Sequence, residues 1–349
     1  MKKLLPYLKK YRAYAFLSPV LMILEVLTDV SVPYLMSRIV DVGIATQDIN
    51  YVVKVGITMI AVALVGMVFG ILSAHFGARA GYGFASEIRL ATYEKIQGFS
   101  FANLDQFTVS SLITRLTNDC NTLGQVMMMS LRMGVRAPFM MIFALLMAVR
   151  INSSLTLVFA VSIPVMVAIA AFVITKARPL FMEMQTRVDR LNAVIKENLA
   201  GVGVVKSFNR QEHEEKRFKE RNDGLRDTAL KAISIVIFVM PLLNLIIYGT
   251  IIAVLWFGGK QVTSGTMGQG ELISFITYIT QIMMALMMVS MFFMQLLRGA
   301  ASKERILAVW ETESEIANPA DPVRKIKDGS VEFKDVCFVY PGGSERVLR

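Results

Sequence analysis

Six runs of about twenty or more apolar residues alternate with polar segments along the chain. A helix of that length crosses the roughly 30 Å hydrocarbon layer of a bilayer, and the runs lack the two-residue alternation of barrel strands. The sequence therefore predicts six membrane-spanning helices. The predicted spans centre on residues 16–36, 52–74, 125–149, 155–174, 233–257 and 272–297.

The polar segments between spans two and three and between spans four and five are much longer than the other connections. Residues 186–200 and 213–232 are rich in helix formers, and opposite charges recur within 213–232 at helical spacing. We therefore predict that the membrane helices continue beyond the bilayer as two long hairpins. Short polar segments with turn and cap residues, 101–108 and 207–212, form their tips.

Composition and charge placement support a membrane protein and predict its orientation. Of 349 residues, 54% are hydrophobic and 18% are charged, whereas a soluble domain carries about 25% charge. The segments at both termini and the two long hairpins hold 31 of the 37 Lys and Arg residues. The positive-inside rule then predicts that both termini and both hairpins are cytoplasmic. The net charge of +10 reflects this orientation and leaves no basic face for nucleic acid.

The two ends of the chain differ from the six-span region at 15–310. Residues 1–14 predict a short interfacial helix whose lysines face headgroups and whose hydrocarbon-facing side chains are Leu4, Leu5, Leu8 and Tyr11. Residues 311–330 contain two prolines and predict a linker. Residues 331–349 begin with the β-branched and aromatic content of a strand. A lone strand buries no core, so we expect this segment to be the incomplete start of another domain.

Charged residues within the spans are candidates for a substrate cavity. Glu25 and Asp29 lie one helical turn apart in the first span, where an ionised carboxylate costs a few kcal/mol or more. They either favour cationic substrates in a translocation path or pack as polar residues near the outer mouth. Arg132 and Arg136 show the same spacing in the third span, but we expect no direct pairing, because the arginines are placed nearer the cytoplasmic end.

Methionine is abundant, and Met283, Met287 and Met291 form a stripe along the sixth span. Unbranched thioethers adapt to varied apolar shapes, which suits a promiscuous drug site, although such a stripe also serves as core or lipid-facing filler. The two histidines and two cysteines lie in no metal-ligand spacing. We expect no metal site.

Four stretches, taken in order on this topology, resemble the transmembrane half of an ABC exporter entering its nucleotide-binding domain. Ser-Ser-Leu-Ile-Thr-Arg at 110–115 is most similar to heterodimeric bacterial multidrug exporters. The four stretches are 110–119, 197–212, 257–265 with 268–272, and 331–341.

The resemblance implies an all-α type I exporter domain with a stub strand, in the bacterial plasma membrane. It implies that the chain assembles with a second half-transporter, as a heterodimer more than a homodimer. Membrane lipids are further partners. The hairpin tips resemble coupling helices that sit in grooves of nucleotide domains, although a solvated turn is the alternative. The tip residues given this role are Phe101, Asn103, Asp105, Phe208, Asn209, Arg210 and Glu212.

Tyr340 would stack on adenine by the same resemblance, or be an ordinary strand tyrosine. ATP and Mg²⁺ would bind through a nucleotide domain that this sequence does not contain. The sequence has no Gly-x-x-x-x-Gly-Lys-[Ser/Thr] loop, and we found no Walker B or signature motif. We therefore expect this chain alone to bind and hydrolyse no ATP, as a fragment of a longer protein or a truncated product.

Together these features predict ATP-driven export of drugs, lipids or peptides by alternating access. An ion-coupled secondary transporter or channel is the first alternative, and it predicts broken helices and internal repeats. A non-transporting membrane scaffold or sensor is the second.

Overall fold

The computed structural model describes residues 3–314, 321, 328–337 and 339, and long helices dominate this part of the chain. Short segments with other helical geometry precede and interrupt them at Leu5–Tyr11, Ile39–Ile44 and Arg115–Asp119. The α-helices are α1 Arg12–Arg38, α2 Ile49–Gln97, α3 Phe101–Gln106, α4 Val109–Thr114, α5 Cys120–Ile151, α6 Ser153–Ala200, α7 Val202–Ser207, α8 Gln211–Ile237, α9 Val239–Thr263 and α10 Gln269–Glu311.

Six helical segments of the described chain are long and apolar enough to cross a membrane. Five predicted spans lie within α1, α2, α5, α6 and α10, and the fifth span in chain order crosses from α8 into α9. The break falls at Phe238, because Pro241 has no N–H to donate to the carbonyl of residue 237. The prediction of an all-α polytopic protein is confirmed.

The prediction of helical hairpins longer than the bilayer is also confirmed. α2 has 49 residues and α6 has 48. At 1.5 Å per residue each is about 70 Å long, more than twice the hydrocarbon thickness. α3 and α7 are the short helices at the two tips.

The chain divides into two compact units, the first of which comprises Met1–Val26, Leu64–Phe139 and Met287–Arg349. Its described core holds a fully buried cluster against which Tyr7, Leu8 and Trp310 pack. Residues 5–11 form a 3-10 turn, and Leu4 is buried in protein instead of facing hydrocarbon. The expected membrane-facing set was therefore wrong for this leucine, because the ends of α2, α5 and α10 offer it a closer apolar surface. The buried cluster is Leu4, Phe84, Ile88, Cys120, Leu123 and Ile306.

The second unit comprises Leu27–Ala63 and Met140–Leu286. The Phe159 and Phe275 rings stack with centroids 5.6 Å apart in its interior. The carboxylate of Asp41 accepts hydrogen bonds from the N–H groups of Gly270, at 2.6 Å, and Glu271, at 2.9 Å. These N–H groups belong to the first turn of α10 and have no partner within the helix, so Asp41 caps α10 from outside it.

The strand expected from residue 331 onward does not form in the described residues 331–337 and 339. A strand needs a neighbour for its backbone hydrogen bonds, and none is paired with these residues here. Asp328 accepts hydrogen bonds from the hydroxyl and amide of Ser330, which lowers the pKa of that carboxyl.

Candidate functional site

The first hairpin tip is α3, a short helix that presents one large apolar side chain outward. Ser100 caps its N-terminus, and the side chain of Asn103 accepts from the Ser100 N–H at 3.1 Å, forming a capping box. The amide nitrogen of the buried Asn103 side chain donates to the carbonyl of Glu313 at 3.1 Å. Phe101 is 85% exposed. Asn103 therefore holds the tip in place, while Phe101 is available for a contact.

An apolar cluster behind α3 joins this tip to the end of α10. Phe107 and Leu112 pack with Val309, and the Trp310 indole donates to the Thr92 hydroxyl at 3.0 Å. The guanidinium of Arg115 lies 4.6 Å from the centroid of the Phe107 ring. The turn that follows α3 is thus packed on the helix that leads to the linker.

A buried carboxylate fastens the same two segments. Asp119 accepts hydrogen bonds from the Ser302 hydroxyl and the Arg305 Nε, each at 2.8 Å, and from the Arg305 Nη2. Arg115 donates to the carbonyl of Arg305 at 2.9 Å. We call Asp119, Ser302 and Arg305 the clamp. It lies within the first unit and ties the segment after α4 to α10.

The clamp was missed by the sequence reasoning, which placed Asp119 only within a resembling stretch. Its partners lie more than 180 residues away, and no local pattern connects them. The available signal was an acidic residue directly before Cys120 at the start of an apolar helical face.

The second tip is α7, in the second unit, and it too presents an exposed aromatic side chain. Phe208 follows α7 and is 74% exposed. Asn209 has a φ of +51°, in the left-handed region, which reverses the chain before α8. Arg210 and Glu212 are exposed at the start of α8. This tip therefore presents an exposed aromatic side chain beside exposed charged residues, and their coupling role remains a prediction.

Within the spans, Glu25 of α1 and Arg136 of α5 form an ion pair. Both side chains are mostly buried, and the Met22 sulfur lies 3.9 Å from the Arg136 Nη1. The prediction that the first-span carboxylates and third-span arginines do not pair was wrong for these two residues. Spans one and three run in the same direction, and at 1.5 Å per residue both residues lie about 15 Å from the start of their predicted spans.

Residues 15–286 of the sequence match the protein-family model of the ABC transporter transmembrane region. The chain belongs to this family. The long hairpins with short exposed tips are thus features of an ABC transmembrane domain, and the family resemblance and fold class inferred from the sequence are confirmed.

Curated relatives of this ABC transmembrane domain are named as ATP-binding proteins. YfiB of Bacillus subtilis, an uncharacterized ABC transporter ATP-binding protein, is 34% identical over 349 residues, covering 100% of this chain and 61% of that protein. An uncharacterized ABC transporter ATP-binding protein of Mycobacterium tuberculosis is 32% identical, covering 98% and 59%. A fatty acid ABC transporter ATP-binding/permease protein of Mycobacterium bovis is 30% identical, covering 74% and 41%. The chain spans about three-fifths of the length of the first two.

The other predicted cavity residues of the ABC domain have differing environments. Met283 is fully buried and packs as core, Met287 is partly buried, and Met291 is 59% exposed. Asp29 is partly buried, and its carbonyl accepts from the Gln281 amide at 3.4 Å. Of the three methionines in this stripe, Met291 is therefore exposed and Met283 belongs to the protein core.

Two of the predicted site residues have no described side chain. Asp105 belongs to α3 by its backbone, and Tyr340 lies outside the described residues. Their roles remain predictions. Within the described part of the chain, His, Cys, Asp and Glu residues form no group of three or more suited to a metal ion.

Proposed function

We propose that this chain is the transmembrane part of an ATP-driven exporter that moves hydrophobic or amphiphilic compounds by alternating access. The observation that carries this proposal is the pair of short tip helices, with an exposed phenylalanine in α3 and another directly after α7, on helices more than twice as long as the bilayer is thick. Neither ion-coupled transport nor a passive scaffold requires such extensions.

In this proposal the tips dock into grooves of two nucleotide-binding domains. Buried aromatic anchors dominate the energy of many protein interfaces, so Phe101 and Phe208 are the residues expected to carry the contact. The clamp and the Asn103 hydrogen bond would pass a displacement of α3 to the end of α10. Closure of the nucleotide domains would then move the membrane helices from an inward-facing to an outward-facing arrangement.

ATP and Mg²⁺ act in the nucleotide domains. The residues present here do not fit that role, because the sequence has no phosphate-binding loop of the Gly-x-x-x-x-Gly-Lys-[Ser/Thr] type. The printed names of the relatives, which describe ATP-binding proteins, support ATP as the energy source of the whole transporter.

The substrate class that we propose is an amphiphile, with a lipid or fatty acid placed before a cationic drug. The relative from Mycobacterium bovis supports this order, because its printed name describes that protein as a fatty acid transporter. The Glu25–Arg136 ion pair also supports it, since a carboxylate already paired with arginine attracts cations less. The exposed Met291 offers an adaptable apolar surface.

The proposed assembly contains a second half-transporter, a heterodimer more than a homodimer, in the bacterial plasma membrane with both termini cytoplasmic. The charge distribution supports this orientation. The similarity of residues 110–115 to heterodimeric exporters supports the unlike partner.

The experiment that tests the proposal is transport by the full-length protein and its partner half in inside-out vesicles. We expect ATP-dependent uptake of a labelled fatty acid or fatty alcohol, and none with a non-hydrolysable ATP analogue. Uptake driven by a proton gradient without ATP would favour a secondary transporter, and no uptake of any probe would favour a scaffold. If a Glu25→Gln/Asp29→Asn double variant loses only the transport of a cationic dye, the result would favour a cationic drug over a lipid or fatty acid as the substrate.

A further inference from the structure

Arg132, on α5 one turn before Arg136, is the residue on which this inference rests. Its Nε is buried and has no hydrogen-bond partner within the described part of the chain. No carboxylate of the described residues lies within ion-pair distance of its guanidinium either. An unpaired arginine within a membrane helix costs a few kcal/mol or more, and such residues generally mark a binding site or a transport path.

The stem of Arg132 enters a groove in the protein, between α1 and α2. A Cβ at Gly77 would lie 3.2 Å from the Arg132 Cδ and 2.9 Å from the Ser18 Oγ, so this groove exists because residue 77 is a glycine. Gly77 and Ser18 are both buried. The stem of the Arg132 side chain therefore packs against the backbone of α2 at Gly77, and its Nε is buried.

The polar side chains of α1 and α2 around Gly77, and the buried carboxylate of Glu25 on α1, already have other partners. The Ser18 hydroxyl donates to the Ser73 carbonyl at 2.9 Å, and the Ser73 hydroxyl donates to the Ser18 carbonyl at 3.0 Å. Glu25 pairs with Arg136. In the part of the first unit formed by α1, α2 and α5, one intramembrane positive charge thus remains without a counter-charge.

We propose that Arg132, in the groove against Gly77, binds the anionic headgroup of an amphiphile, a carboxylate or a phosphate. Arginine presents a planar fork of donors that matches both oxyanions. Met128 and Met129, one turn earlier on α5, supply a flexible apolar surface for the attached chain. Arg132 lies about 10 Å from the start of its predicted span, a depth that suits a headgroup entering from the inner leaflet.

This inference rests on the proposed function, since it names the charge of the substrate that the exporter would take. Two sources supply such a headgroup, which are a transported acid and an anionic phospholipid of the bilayer. The experiment has one arm for each source.

The first arm measures binding of a fluorescent fatty acid and the fatty alcohol of the same chain length to the full-length transporter in phosphatidylcholine nanodiscs. We expect the wild type to bind the acid about tenfold more tightly, the size of one charge-assisted hydrogen bond. Arg132→Gln should abolish this preference and leave alcohol binding unchanged, which also reports that the variant is folded. Arg132→Lys should retain part of the preference.

The matched control is Arg150→Gln, an exposed arginine near the other end of α5, which should leave both affinities unchanged. The second arm uses native mass spectrometry to count phosphatidylglycerol molecules retained by wild type and Arg132→Gln after delipidation. A loss of retained lipid with unchanged acid binding identifies phospholipid as the source, and the reverse identifies a transported acid.

The proposal is overturned if Arg132→Gln changes neither the acid preference nor lipid retention, or if acid and alcohol binding fall together. ATP-dependent uptake of the fatty alcohol in vesicles is measured separately. If the vesicles take up the alcohol and Arg132→Gln keeps the acid preference and the lipid retention of the wild type, only the anion site is refuted. If the wild type takes up no probe at all, the exporter function is refuted.

Discussion

The clamp formed by Asp119, Ser302 and Arg305 provides a quantitative prediction. Asp119→Asn keeps the shape of the side chain but removes its charge and one acceptor oxygen. Two of its three hydrogen bonds come from Arg305, so the substitution weakens the link between the segment after α4 and α10.

The size of the effect follows from the different exposures of the partners. The Asp119 side chain is 3% exposed and that of Arg305 is 49% exposed. A hydrogen bond to a charged group contributes about 1.5–3 kcal/mol, breaking a fully buried pair costs about 3–5 kcal/mol, and an exposed pair contributes about 0–1 kcal/mol. Because water screens the arginine, we expect a coupling free energy near 2 kcal/mol between the two side chains.

A double-mutant cycle measures this coupling. The free energy of unfolding in SDS and detergent mixed micelles is determined for wild type, Asp119→Asn, Arg305→Gln and the double variant. The same cycle on Glu197 and Arg217, an exposed pair joining α6 and α8 at 2.8 Å, is the control and should give a much smaller coupling, because water screens both charges.

Additive effects of the two clamp substitutions, within about 0.5 kcal/mol, would refute the reasoning, since independent sites behave in that way. Asp119→Asn should also reduce substrate-stimulated ATPase of the full-length assembly. If stability falls while stimulation is unchanged, the clamp stabilises the fold without transmitting motion.

Three further predictions concern packing, coupling and nucleotide binding. Gly270→Ala places a Cβ 2.6 Å from the Ser37 carbonyl oxygen and should lower the free energy of unfolding by about 2 kcal/mol or more in the same SDS assay. The control Gly259→Ala, whose Cβ would have nothing within 4 Å, should leave the free energy of unfolding unchanged or raise it. Equal effects of the two substitutions would contradict the packing at Gly270. Phe208→Ala with Arg210→Glu should lower substrate-stimulated ATPase several-fold, and unchanged stimulation would exclude a coupling role. Residues 1–349 expressed alone should show no ATP binding by calorimetry, a result that micromolar affinity would overturn.

The helices were predictable from the sequence because each apolar run is a local signal. The turn at Asn209 was also predictable, since it lies within the predicted tip segment 207–212, whereas the cap at Ser100 lies just before the predicted segment 101–108. The interactions between helices were not. The argument from depth against a Glu25–Arg136 pair fails because both residues lie about 15 Å from the start of their predicted spans, which run in the same direction.

The clamp illustrates a second limit of the sequence. Ser302 and Arg305 face Asp119 only after α5 and α10 pack, and the charge pattern of either segment alone does not distinguish a buried carboxylate from a solvated one. Leu4 was misplaced for a related reason. Apolar periodicity predicts a buried face but does not say whether lipid or protein covers it.

The left-handed backbone at Asn209 has a consequence for natural variation in this hairpin. Only glycine, asparagine and aspartate adopt that conformation at little cost, so substitutions at this position should be confined to those three residues across related transporters. Phe208 beside it meets no such constraint from its own backbone. In the proposed assembly its identity should instead change together with the nucleotide-domain groove that would receive it, so paired sequences of the two surfaces would record which half-transporters assemble with one another.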